Sequence, residues 1–158
     1  MSQLLNRLRS AVLCAAVTAT ATLASASEVE YLGGSGVLPN SLPFSEAVRV
    51  DNTYYLSGQL GVKPGTLVLV PGGIREEARQ TMENIAAVLA AQGLDMNDIV
   101  KCTVMLADMS EWGIFNEVYR SFFSQHYPAR SAFGSTGLGL GARAEVECIA
   151  VASGSASE

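Results

Sequence analysis

Residues 74–106, IREEARQTMENIAAVLAAQGLDMNDIVKCTVML, combine an amphipathic helix with a strand, and this pair decides the fold class. Apolar residues of the first half recur at steps of three and four with charged residues opposite, which is typical of a helix with one buried face. Gly93 follows the helix, where glycine is common. Ile99 to Leu106 is apolar and β-branched with Lys101 and Thr103 interleaved, which predicts a strand with one face more buried than the other.

Alternating patterns on both sides of this pair predict further strands. Before it, Ala47–Val50 and Thr53–Gln59 alternate in polarity, and Asp51-Asn52 between them predicts a hairpin turn. After it, Ala129–Phe133 and Ala144–Ala152 predict two strands that a glycine-rich loop separates. The sheet is therefore expected to draw on most of the chain.

A second helix is predicted between these strands. Trp112, Phe115, Tyr119 and Phe122 share one stripe at helical spacing. The resulting order β-β-α-β-α-β-β predicts a sheet with both helices on one face. The other face of the sheet then needs a different cover, which favours oligomerisation.

The first 26 residues have the composition of a secretory signal peptide. Arg7 and Arg9 occur without any acidic residue, an apolar run follows from Ala11 to Ala24, and Ala24-Ser25-Ala26 has the small-x-small form of a cleavage site. The apolar run is shorter than the roughly 20 residues of a membrane span. We therefore expect an exported protein, periplasmic or secreted, without a membrane anchor.

The length and charge of the chain limit its organisation and its partners. A chain of 158 residues is expected to form one domain. We predict an irregular or edge-strand arm over 27–42, a folded domain over 43–152 and a flexible tail over 153–158. Acidic residues outnumber basic ones by 15 to 10, which gives a net charge of −5. Nucleic acid is therefore a disfavoured partner, because its phosphates are bound by clustered Lys and Arg.

Few residues suggest a metal or a cofactor. His126 is the one histidine, and no second His or Cys lies at ligand spacing, so no metal site is predicted. The glycine-rich loop precedes a strand and not a helix, which disfavours a dinucleotide site. Cys102 and Cys148 each lie in an apolar run, which favours buried free thiols, with a disulfide as the alternative in an oxidising compartment.

The last two strands carry the residues with the clearest chemical potential. Glu145 and Glu147 lie on the same face of their strand, because side chains alternate with a period of two. Arg130 lies on the strand before the connecting loop, so a guanidinium and carboxylates are expected to face one region. Such an arginine can hold a substrate carboxylate while a glutamate polarises water. The alternative for the glutamates is a solvated edge strand.

Taken together, several segments of the chain resemble the Rid family, also labelled endoribonuclease L-PSP. The resemblance runs from about Pro43 to Val151. The matching segments are Tyr55-Leu56-Ser57-Gly58-Gln59, the helix Ala78 to Gly93, Asp98-Ile99-Val100-Lys101, Asn116-x-x-Tyr119-x-x-Phe122-Phe123, Pro128-Ala129-Arg130-Ser131 and Glu145-Val146-Glu147-Cys148-Ile149-Ala150.

This resemblance implies a fold and an assembly. The family has a chorismate-mutase-like α+β fold, with a mixed sheet and two helices on one face. Its members form homotrimers in which the sheets build an inner barrel, with three clefts between subunits. A trimer of this kind would cover the sheet face that the helices leave open.

The resemblance also implies an activity, the hydrolysis of small 2-imino or enamino acids to 2-oxo acids and ammonia without a cofactor. Arg130 would hold the substrate carboxylate and Glu145 would position the attacking water. Further residues implied to line the cleft are Phe44, Ser57, Gly58, Asn116, Tyr119 and Ala132. Phe44 stands where the family has a tyrosine, and Ala132 where many members have cysteine.

Two other functions compete with this deaminase hypothesis. A noncatalytic trimeric binder of small molecules, or a holdase, would use the same clefts. An endoribonuclease, the activity in the family label, fits poorly with a net charge of −5 and a single histidine.

Overall fold

A mixed sheet of seven strands forms the centre of the structure, a computed structural model that describes residues 26–153. Two α-helices accompany it. The elements in chain order are β1 Val29–Leu32, β2 Ala47–Val50, β3 Thr53–Leu56, β4 Gln59–Leu60, α1 Ile74–Ala90, β5 Ile99–Leu106, α2 Trp112–Arg120, β6 Ala129–Gly134 and β7 Ala144–Val151.

Strand β7 lies at the middle of the sheet. The strand order is β1-β2-β3-β7-β5-β6, and the short β4 pairs with β7 as well. Strands β5 and β6 run parallel, while every other named pair is antiparallel. The predicted α+β class with a mixed sheet and two helices is therefore confirmed.

The two faces of the sheet differ in burial. Ala144, Val146, Cys148 and Ala150 of β7 are buried in one hydrophobic core with the apolar faces of α1 and α2. The alternate residues of β7, which begin with Glu145, point to the opposite face and are half-buried or exposed. Both helices thus cover one face, and within residues 26–153 no helix covers the other.

The structure corrects the predicted continuous strand Thr53–Gln59. Tyr55 pairs with Ile149, but Gln59 pairs with Val146, so the register shifts by one residue between β3 and β4. This shift is a bulge at Ser57-Gly58, and bulges re-aim the side chains that follow them. As a result Gln59 is fully buried on the helix face.

The second helix also differs in detail from the prediction. Helix α2 ends at Arg120, before Phe122 of the predicted stripe, although Phe122 still packs against the core. The apolar segment around residues 67–70 forms a single bridge, Val62 with Leu69, and no full strand.

The predicted arm is an integral part of the domain. Strand β1 pairs with β2 along its whole length, so the arm adds an edge strand to the sheet. After β1 the chain is held by Glu46, whose buried carboxylate accepts hydrogen bonds from the backbone N–H of Ser35 at 2.9 Å, its hydroxyl at 2.7 Å and the N–H of Leu38 at 3.2 Å. This carboxylate fixes the loop that leads into β2.

The two strand cysteines are joined, contrary to the favoured prediction of free thiols. Cys102 and Cys148 are direct partners in the β5–β7 register, with Cα atoms 4.1 Å apart, and they form a disulfide in the buried core. Burial in an apolar run is compatible with either state, and only the strand register reveals that the two residues are adjacent.

The predicted signal peptide and C-terminal tail lie largely outside the described residues. Between residues 26 and 153, no helix combines the length and the hydropathy that a membrane crossing requires. Within the same range, no cluster of three or more His, Cys, Asp or Glu is arranged to hold a metal ion.

Replacing the Glu46 carboxylate by an amide is expected to destabilise the fold. Glu46→Gln substitutes an NH₂ donor for one of two acceptor oxygens, which leaves at least one donor of the arm without a partner and costs about 1–3 kcal/mol of unfolding free energy. Urea denaturation measures this change. Glu83→Gln, the same substitution on the exposed face of α1, is the control. Equal stability of the two variants would contradict the anchoring role of Glu46.

Candidate active site

All predicted site residues except Ala132 fall into two groups, and each group lines its own cavity. The first, here called the arginine cavity, has a volume of about 500 Å³ and lies where α2 meets the start of β6. The second, the glutamate cavity, has a volume of about 240 Å³ and lies beside the bulge between β3 and β4. Neither of these two cavities contains residues of both groups.

In the arginine cavity, Arg130 stacks on aromatic side chains. Its guanidinium carbon lies 4.7 Å from the ring centroid of Tyr119 and 5.8 Å from that of Trp112. Tyr119 is a buried residue of α2, so the helix fixes the plane on which the guanidinium rests. Cation–π contact of this kind holds the guanidinium in place and leaves its N–H groups available for a ligand.

The arginines of residues 26–153 differ in whether they form a salt bridge. Arg49, Arg75, Arg79 and Arg143 each form a salt bridge with a glutamate. Arg120 and Arg130 form none within that range, and both line the arginine cavity, together with Asn116, Tyr127 and Pro128. Two cations without a carboxylate partner at one cavity make it suited to an anion.

Two polar atoms beside Arg130 are buried without a hydrogen-bond partner in the described part of the chain. They are Oδ1 of Asn116 and the hydroxyl of Tyr119. Burial raises the pKa of Tyr119 to about 12, although the charge of Arg130 acts in the opposite direction. The hydroxyl therefore stays protonated near neutral pH and is available as a donor.

The glutamate cavity is lined by Phe44, Ser57, Gly58 and Glu145. The Glu145 carboxylate lies against the backbone of Gly58, where any side-chain Cβ would collide with it. Glycine is thus required for this close approach. The Ser57 hydroxyl donates to the carbonyl of Ser45 at 2.7 Å and so joins the bulge to the segment that carries Phe44.

The environment of Glu145 favours its protonated form. Partial burial raises the pKa of this carboxyl above its usual value, and the neighbouring charge of Glu147 raises it further. A carboxylate with a raised pKa is a better proton acceptor, so Glu145 is suited to act on water.

Arg130 and Glu145 do not meet within one chain, which corrects the expectation that they face one region. Arg130 pairs with Cys102 of β5 and lies on the helix face, whereas Glu145 pairs with Met105 and lies on the open face. The connecting loop makes the strands consecutive but not adjacent, because β5 lies between β6 and β7.

The remaining predicted residue, Ala132, follows Arg130 by two positions on β6. It pairs with Val104 and packs against the core on the same face as Arg130. Sequence reasoning did not include Arg120, Tyr127 or Trp112 in the site. In the sequence, only the position of Trp112 in the helix stripe suggested that it lies near the site. No sequence pattern pointed to Arg120 or Tyr127, because their place at the cavity depends on where α2 ends.

Removing the charge of Glu147 is expected to lower the pKa of Glu145. With the raised pKa, the folded chain binds more protons than the unfolded chain between the ordinary glutamate pKa and the folded value, so unfolding free energy falls as pH rises through that window. Glu147→Gln should weaken this fall. Carboxyl NMR titration at low ionic strength measures the pKa, with Glu83→Gln as control. An unchanged Glu145 pKa in Glu147→Gln would refute the coupling.

Comparison with known proteins gives consistent results. The family profile described as Endoribonuclease L-PSP matches residues 38–152. A 2-iminobutanoate/2-iminopropanoate deaminase of Mus musculus is 49% identical over 109 residues, which are 69% of this chain and 81% of that protein.

Solved structures agree with this match. RidA of an Antarctic Psychrobacter has a TM-score of 0.73 and 37% identity, covering 78% of this chain and 99% of its own. TdcF of E. coli, solved with bound serine, has a TM-score of 0.72 and 32% identity, covering 78% of this chain and 99% of its own.

The comparisons also require a correction. The sequence analysis predicts a signal peptide over residues 1–26 and a periplasmic protein, but the family profile matches only residues 38–152 and nothing in the comparisons supports such a leader. That prediction is withdrawn. The family profile spans every segment from which the resemblance was drawn, and the chain belongs to the Rid family, described as Endoribonuclease L-PSP.

Proposed function

We propose that this protein hydrolyses small 2-imino or enamino acids to 2-oxo acids and ammonia, at sites that two subunits of a homotrimer build together. The observation that carries the proposal is the arginine cavity, where Arg130 is held on Tyr119 and has no carboxylate partner in the described range. A substrate carboxylate is the matching ligand, because it can accept two parallel N–H bonds from one guanidinium.

Relatives support the same chemistry. The sequence predicts a hydrolase that resembles the 2-iminobutanoate/2-iminopropanoate deaminases. The relative of that name, at 49% identity, confirms this prediction. TdcF, with its bound serine, gives an example of a small amino acid held by a member of this fold. A small molecule that carries one carboxylate is therefore the ligand that we assign to the cavity.

The reaction requires a bound carboxylate and an activated water. Arg130 holds the substrate carboxylate, and Glu145 accepts a proton as water adds to the imine carbon. Glu145 passes this proton to the imine nitrogen, and a neutral tetrahedral carbinolamine forms. Glu145 then takes the proton of the new hydroxyl and delivers it to nitrogen as the C–N bond breaks, so that ammonia leaves and the carbonyl of the 2-oxo acid forms. The protein contributes mainly positioning and charge.

A second subunit would unite the two halves of the site. Within one chain Arg130 and Glu145 lie on opposite faces of the sheet, so a single copy offers only one half at each cavity. The open face carries Tyr55, Lys101, Thr103, Glu147 and Ile149 around a cavity of about 140 Å³. We assign this face to the inner barrel of the trimer, because an uncovered sheet face of mixed apolar and charged residues favours self-association.

Removing the guanidinium is expected to abolish most of the activity. Arg130→Ala should lower kcat/KM for ammonia release from 2-iminopropanoate by about 100-fold, since a charge-assisted bidentate contact is lost. Arg79→Ala, which removes an exposed arginine of α1, should have no effect.

The outcomes of this experiment separate the candidate functions. Equal ammonia release by the parent and Arg130→Ala would refute the assigned role of Arg130. No release by either protein, together with binding of the 2-oxo acid, would favour the noncatalytic binder. RNA cleavage that is lost in Arg130→Ala would favour the endoribonuclease.

Mixing two impaired variants tests whether the site is shared between subunits. Arg130→Ala and Glu145→Gln should each retain only a few per cent of the parent activity or less when expressed alone, with about 1% for Arg130→Ala. Co-expression at equal levels should restore about one quarter of the parent activity, because in random trimers about one site in four takes an intact Arg130 from one subunit and an intact Glu145 from the next. Multi-angle light scattering checks the trimer. Intact mixed trimers without recovery would contradict a shared site.

A further inference from the structure

An apolar pocket opens beside the glutamate cavity. It has a volume of about 210 Å³, and its described lining contains no charged side chain. Three segments build it: the arm before β2, the chain from β4 into the following loop, and the glycine-rich loop before β7. The lining residues are Leu38, Leu42, Phe44, Gly58, Leu60, Val62, Leu67 and Leu140.

The apolar pocket and the glutamate cavity are continuous. Both are lined by Phe44 and by Gly58, and Gly58 is the residue against which the Glu145 carboxylate lies. A molecule with its reacting carbon near Glu145 can therefore extend an apolar substituent past Phe44 into the pocket. We propose that this pocket holds the substrate side chain and makes the enzyme prefer imino acids with a branched aliphatic side chain. This inference rests on the proposed imine hydrolysis.

The walls of the pocket are fixed by hydrogen bonds before any ligand binds. Glu46 holds the N–H of Leu38, and the N–H of Gly65 donates to the carbonyl of Val37 at 2.9 Å, which joins the arm to the loop after β4. Within that loop the N–H of Val70 donates to the carbonyl of Gly61 at 2.9 Å. A preformed cavity selects by fit, because little ordering is needed upon binding.

Leu140 lines the pocket in an unfavourable backbone conformation. Its φ of 60° lies in the left-handed region, which leucine rarely adopts, and its side chain is 53% exposed. Glycine or asparagine would be favoured at such an exposed position on conformational grounds. A strained and solvent-exposed leucine at the edge of an apolar pocket is explained by contact with a ligand. Gly139, beside it, packs towards Leu60, another residue of the lining.

The size of the pocket distinguishes the candidate substrates. A methyl group, as in 2-iminopropanoate, leaves most of the 210 Å³ unfilled, whereas an isobutyl group reaches several lining leucines. Each additional methylene that an apolar pocket accepts improves kcat/KM by about tenfold or more. Charged side chains are excluded, because nothing described in the lining pairs with them.

The test compares two imines that differ only in this group, 2-imino-4-methylpentanoate and 2-iminopropanoate, both generated in situ. We expect the full chain to favour the branched imine by at least about tenfold in kcat/KM. Leu67→Asn and Leu140→Asn should reduce that ratio, and asparagine tolerates the left-handed conformation at 140. Val68→Asn is the matched control, since Val68 adjoins Leu67, is 58% exposed and does not line the pocket.

A binding measurement separates the pocket from the chemistry. Calorimetry with the stable products 4-methyl-2-oxopentanoate and pyruvate should give the same order of affinity, again reduced in Leu67→Asn. If neither imine is hydrolysed but this binding order holds, the proposed reaction fails and the pocket stands. If both imines are hydrolysed at equal kcat/KM, or if Val68→Asn changes the ratio as much as Leu67→Asn, the pocket inference is overturned. Absence of both hydrolysis and binding overturns both.

Discussion

The alternation of side chains along β7 is the constraint on which the rest of the structure depends. This strand pairs with β3, β4 and β5, so its register fixes the centre of the sheet. Its small and apolar residues enter the core under α1, and the same alternation sends Glu145 and Glu147 to the face that the helices leave open. A shift of one residue would bury both carboxylates and expose the core.

This alternation also explains why the candidate site is divided. Helix α2 can stack Tyr119 on Arg130 only because Arg130 lies on the helix face, and Glu145 can approach Gly58 only from the open face. A sheet separates the two groups, so one chain cannot satisfy both requirements at a single point. In the proposed trimer, oligomerisation has a chemical role as well as a structural one, because a neighbouring subunit would supply the missing partner to each half.

Much of this could be predicted from the sequence, and the failures share a physical cause. Local periodicity located α1, β5 and β7 to within a few residues, because burial of one face determines each pattern. The disulfide, the bulge at Ser57-Gly58 and the opposite faces of Arg130 and Glu145 depend on which strands are neighbours and in what register. The spacing of residues along one strand does not indicate which strands are neighbours or in what register they pair.

The bulge at Ser57-Gly58 joins the proposed reacting centre to the proposed selectivity pocket. It turns Gln59 into the core, places Gly58 where the Glu145 carboxylate can approach the backbone, and lets Gly58 and Leu60 line the apolar pocket. A side chain at position 58 would therefore disturb the carboxylate and the pocket together, since both lie against the backbone of Gly58. By contrast, Leu67 and Leu140 reach the pocket from loops and do not line the glutamate cavity. If the pocket holds the substrate side chain as proposed, substitutions in these loops change substrate preference while the arrangement of Gly58 and Glu145 stays intact.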